Sequence, residues 1–167
     1  MKKSILFFIL LAFMACQNSN PLLTEQQTPF GVPAFDKIKV EHYMPAFEAA
    51  IQANQAEIDA IVNNPAAPTF ENTVEALDRT GELLDKVVGV FFNVLEADGN
   101  DEMNKIAEQV TPMLSALSDG IILNDKLFQR VKAVYEQKDV LNLNSEQMRL
   151  LTETYKQFEQ NGANLSE

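Results

Sequence analysis

From Glu41 onward, apolar residues recur at steps of three, four and seven, the spacing of a helix with one buried face. Phe47, Ile51, Ile58 and Ile61 form the first such stripe and predict a helix over about Glu41–Val62. Pro45 suits its first turn, where a missing N–H costs nothing. Asn63, Asn64, Pro65 and Pro68 end it. A second stripe (Val74, Leu77, Leu84, Val88, Phe91, Leu95) predicts one helix starting near Asn72, with Asn72 and Glu75 as a capping box. Gly81 and Gly89 fall inside it, where each costs about 1 kcal/mol against alanine and gives room for close helix approach. The turn Asp98-Gly99-Asn100 stops it.

The third stripe is Met103, Ile106, Val110, Met113, Leu114 and Leu117, predicting a helix over Asp101–Ser118 with a kink or break at Thr111 ahead of Pro112. Leu127, Phe128, Val131, Val134 and Tyr135 make a fourth helix over about Asp125–Gln137, capped by Asn124. A fifth begins at a cap on Asn144 or Ser145, turns Met148, Leu151, Tyr155 and Phe158 inward, and stops before Gly162. No run alternates with period two, so no sheet is expected. The pattern reads as an all-α fold of about five amphipathic helices in an antiparallel array. No fixed repeat period supports a solenoid. Ser166-Glu167 is how another helix would begin, so the helical subdomain over residues 34–167 is expected to be incomplete at its C-terminal end.

The front of the chain has a different pattern. Lys2 and Lys3 precede the apolar run Ile5–Met14, then Ala15 and Cys16. That order is a secretory signal over residues 1–15, and the run is too short to span a bilayer. Cys16, the chain's single cysteine, stands where an exported protein is acylated, although Phe13 and Met14 replace the usual leucine and small residue. Cys16 is therefore the expected lipidation site. The polar, proline-containing stretch to Pro33 is the expected tether (residues 16–33), and the location is the bacterial envelope on its periplasmic side. One cysteine excludes an internal disulfide, so the fold rests on its core, for which 46% hydrophobic residues suffice. The net charge of −11 argues against nucleic acid and against electrostatic binding to anionic lipid. A monomer is expected.

Candidate chemistry is sparse. His42 is the sole histidine, and imidazole zinc sites recruit two or three, so it reads as a helix-start residue that packs or hydrogen-bonds. Asp98-Gly99-Asn100-Asp101 lacks the acidic spacing of a calcium loop and reads as a turn. Glu71, Glu75, Asp78, Glu82 and Asp85 read as a solvated helix face. Phe91, Phe92 and Leu95 read as core in preference to a ligand groove. No catalytic, cofactor-binding or metal-binding residue is assigned to this chain.

Ordered strings carry a resemblance. They are Phe35-Asp36-Lys37-Ile38, Glu41-His42-Tyr43-Met44-Pro45-Ala46-Phe47, Pro68-Thr69-Phe70-Glu71-Asn72-Thr73, Val90-Phe91-Phe92-Asn93, Leu123-Asn124-Asp125-Lys126-Leu127-Phe128, Arg130 to Glu136, and Glu146 to Leu151. The set resembles the opening of the thimet-oligopeptidase family of zinc metallopeptidases, nearest its peptidyl-dipeptidase branch, from about Pro33 to the last residue. The resemblance implies a helical N-terminal subdomain forming one wall of a channel for short peptides. It also implies zinc held far downstream by a His-Glu-x-x-His helix, none of which is in this chain. The expected function is thus the channel-wall portion of an exported peptidase, inactive by itself. The alternative is a free-standing helical lipoprotein that binds peptides or protein partners without catalysis.

Overall fold

The computed structural model describes residues 20–24 and 28–161. Cys16, the run before it and Gly162 onward lie outside the described residues. All regular structure among the described residues is helical. Helix α1 spans Tyr43–Val62 after a 3-10 turn at Val40–His42. A π-helical segment, Phe70–Glu75, leads into the short α2, Ala76–Asp78. Then come α3 (Glu82–Asp98), α4 (Asp101–Ile122), α5 (Asp125–Tyr135) and α6 (Ser145–Gln160). The all-α expectation holds, and the five long helices are those the apolar stripes marked.

Two corrections concern the second stripe. It is not one helix. The chain turns at Arg79–Gly81, where Gly81 takes φ +83, a left-handed conformation that glycine enters without steric cost. The cap also lies three residues earlier. Thr69 Oγ1 accepts from the Asn72 amide at 3.2 Å, and Asn72 Oδ1 accepts from the Thr69 amide at 2.9 Å. Thr69 precedes the helix with an extended backbone, so its hydroxyl meets the free amides, which Asn72, already inside the helix, does not.

Helix α4 differs from expectation in length. It continues through Pro112 to Ile122 in place of ending at Ser118. Pro112 and Glu108, whose carbonyl loses its partner to the proline ring, are both exposed, so the break in the hydrogen-bond ladder faces solvent. Three expected turns hold. Asn100 Oδ1 accepts from the Glu102 and Met103 amides at 3.0 Å, Asn124 Oδ1 from Leu127 at 3.0 Å, and Asn144 Oδ1 from Gln147 at 2.9 Å.

The core has three parts. The first joins α1, α3 and α4 around Phe47, Val87, Phe91 and Val110, all fully buried. Tyr43, Phe47 and Phe92 each meet the Phe91 ring edge-on, with centroids 4.9, 5.2 and 5.0 Å away. The second packs the far end of α1 (Ile58, Ile61) on α5 and α6 through Leu127, Phe128, Val131 and Phe158. The third closes the π-helical segment on the same pair through Phe70, Val74, Val134 and Leu151. Each fully buried side chain of this size contributes about 1.5–3 kcal/mol. Helix α1 runs through the first two parts and ties them together.

The segment read as a spacer is partly packed. Leu22 is fully buried in the first core cluster. Asn20 Nδ2 donates to the His42 carbonyl at 2.7 Å, and the Lys86 ammonium donates to the Thr24 carbonyl at 3.0 Å.

Candidate functional site

The seam between α1 and α4 carries an open cleft of about 670 Å³. The parallel stripes create it: Ile51 and Ala56 on one helix, Met113, Ala116 and Leu117 on the other, form an apolar floor. Glu48, Gln52, Gln55 and Asp59 rim it, the Gln55 amide donating to Asp59 Oδ1 at 3.2 Å. Leu117 also lines a smaller hollow of about 240 Å³ beside Asn54, Gly81 and Asp85. Such a surface can hold apolar side chains and accept hydrogen bonds from cations. Its two carboxylates, Glu48 and Asp59, sit on its rim, and no histidine or cysteine lines it.

The hollow shows how the chain is locked at its turn. Asn54 is buried on the inward face of α1, one turn from Ala50 and Ile58. A methyl group on Gly81 would lie 2.8 Å from its amide nitrogen. The Gly81 amide donates to Glu57 Oε2 at 2.8 Å, fixing the start of α3 against α1. Gly89, expected to serve the same close approach, instead faces open space.

Each residue singled out in the sequence has a definite place. His42 Nδ1 accepts from the Lys39 amide at 3.0 Å, so it serves the chain entry to α1. The Asp98–Asp101 stretch is the α3–α4 turn, with Asn100 as cap. Phe91 is core and no groove wall. The five carboxylates do not share one helix face, because the Gly81 turn separates Glu71, Glu75 and Asp78 from Glu82 and Asp85. Glu75 pairs with Arg79 at 2.5 Å. Burial pushes the Tyr43 phenol above its ordinary 10.0. Cys16 lies outside the described residues.

Arg130 was missed. Its Nη1 donates to the Asn64 and Ala66 carbonyls at 3.0 and 3.3 Å, and its Nη2 to Asn72 Oδ1 at 3.2 Å. Asn72 in turn holds Ala67 through its amide at 2.9 Å and takes the Thr73 hydroxyl at 2.8 Å. The guanidinium thus pins the proline-bearing connection after α1 onto α5. The only hint in the sequence was a cation set between the buried Phe128 and Val131.

Known proteins match this sequence over most of its length. No protein-family model matches the chain. Dipeptidyl carboxypeptidase of Salmonella typhimurium is 44% identical over 150 residues, 90% of this chain and 22% of that protein. The Escherichia coli protein of the same name is 42% identical over 148 residues, 89% of this chain and 22% of its own length. This chain is similar to part of a dipeptidyl carboxypeptidase. Oligopeptidase A of Escherichia coli is more distant, 26% identical over 147 residues, 88% of this chain and 21% of that protein. These matches bear out the resemblance drawn from the ordered strings. The chain spans about a fifth of the length of the curated relatives it matches.

Zinc, which the resemblance implies for a longer protein, does not fit the residues here. Among the described residues no three His, Cys, Asp or Glu side chains converge, and the Nδ1 of the lone histidine is already bonded. No chemical step is derived through it.

Proposed function

We propose that this chain is the N-terminal portion of an exported zinc metallopeptidase that removes dipeptides from the C-termini of short peptides. The match to dipeptidyl carboxypeptidases over nine-tenths of the chain carries this reading. In it the helical body supplies one wall of the peptide channel and no catalytic group. An apolar, acid-rimmed cleft along α1 and α4 supports the reading of a channel wall. Zinc would sit on residues of the remaining polypeptide, where it would activate water for attack on the peptide carbonyl. The signal-like run and Cys16 support export and a lipid anchor in the bacterial envelope.

The deciding experiment is to read the coding sequence past Glu167. An open frame that reaches His-Glu-x-x-His supports the proposal, and a stop codon there favours the free-standing lipoprotein. The full-length product is expected to release C-terminal dipeptides from oligopeptides, and a zinc chelator to abolish the release. Activity that survives the chelator would defeat the zinc mechanism.

A further inference from the structure

The stretch read as a long spacer between anchor and body carries a built attachment close to its start. Leu22 is fully buried in the cluster formed with Tyr43, Phe47, Val87 and Phe91. Asn20 organises the approach to it. Its carbonyl accepts the Leu23 amide and its Oδ1 accepts the Leu22 amide, both at 3.0 Å, while its Nδ2 donates to His42 at 2.7 Å. Thr24 is then fastened by Lys86 of α3. A buried leucine flanked by side-chain and main-chain hydrogen bonds to two helices is a strap, and a freely solvated linker has none of these contacts.

We infer that Asn20–Thr24 is a strap that seats the helical body against the membrane surface. This rests on the reading of Cys16 as the lipid-bearing residue. Four residue steps separate Cys16 from Asn20, and an extended chain covers them in at most about 14 Å. A free tether running to Pro33 would reach about 60 Å. With the strap closed, the start of α1 lies next to the lipid headgroups and the body cannot swing away. The partner surface is the bilayer that holds the anchor. The chain's charge of −11 would by itself push the body off an anionic leaflet, so a mechanical hold has work to do there.

The test uses the full chain in lipid vesicles, with a donor fluorophore on Glu41→Cys, an exposed position beside His42, and an acceptor-labelled lipid. Efficient energy transfer is expected. A ten-residue Gly-Ser insertion after Asn18 leaves the strap untouched and is expected to lower transfer at least twofold. Asn20→Ala combined with Leu22→Ser is expected to lower it similarly. Equal transfer in the unaltered and lengthened proteins overturns the inference. Hydrogen exchange separates this from failure of the anchor reading. In the full chain with Cys16→Ser, slow exchange at the Leu22 and Leu23 amides is expected, and exchange at the free-chain rate overturns the strap. An intact mass showing no acyl group on Cys16 of the unaltered protein instead overturns the anchor, and with it the seating at the membrane, even where those amides exchange slowly.

Discussion

Single residues decide where this chain bends. Gly81 combines a left-handed backbone with a side-chain amide where a methyl group would go. Gly81→Ala is expected to cost about 1–2 kcal/mol in backbone strain, plus whatever Asn54 must give, seen as a lower thermal midpoint. A larger loss follows if Asn54 cannot rotate within its buried site. The Tyr43 phenol gives a pH signature. Burial raises its pKa in the folded state above that of the unfolded chain, so its contribution to stability is complete below about pH 10 and is lost as pH climbs through the raised value. Tyr43→Phe is expected to flatten the fall in stability on the alkaline side. An unchanged alkaline limb in chemical denaturation would refute that assignment.

At the scale of elements, caps and one clamp hold helices that have little else at their ends. Asn124 is the cap of α5, a helix of only 11 residues. Asn124→Ala is expected to cost about 1 kcal/mol in denaturant midpoint, and Asn124→Asp a few tenths or less. Arg130 works between elements. Arg130→Ala removes charge-assisted bonds to two carbonyls and to Asn72, so a loss of about 1–3 kcal/mol is expected, with faster amide exchange across residues 64–72. Arg130→Lys should recover little, because an ammonium cannot span three acceptors arranged for a planar fork. The apolar stripes were legible for α1, α4, α5 and α6, where Phe47, Ile58, Val110, Phe128, Val131, Leu151 and Phe158 are all buried as their spacing required. In α3 the stripe Leu84, Val88, Phe91 and Leu95 packs on the core as read, but it left out Val87. Val87 is fully buried while Val88 is half-buried against the same cluster, so the buried face of α3 is wider than one stripe.

For the molecule as a whole, α1 runs through two of the three core clusters. Phe47 lies in one and Ile58 in the other, and both are fully buried. Phe47→Ala is expected to cost about 3–5 kcal/mol and Ile58→Ala about 2–5 kcal/mol, each shifting one common unfolding transition. Two separate transitions in calorimetry would show that α1 does not couple the regions. The candidate site belongs to this scale as well. The cleft between α1 and α4 exists only because two stripes run side by side with Leu117 between them and the hollow at Gly81.

The helical class, the approximate places of the five long helices and the resemblance to the peptidases could be read along the chain. All three depend on the order and spacing of neighbouring residues, which a linear reading keeps. Folding alone reveals that Leu22 leaves a polar stretch to join the core, that Gly81 divides the second stripe, and that Arg130 fastens a connection some 60 residues away in the chain. The physical reason is the same for each. A buried leucine, a left-handed glycine and a guanidinium fork are set by partners brought together on folding, and no periodicity along the chain records where those partners stand.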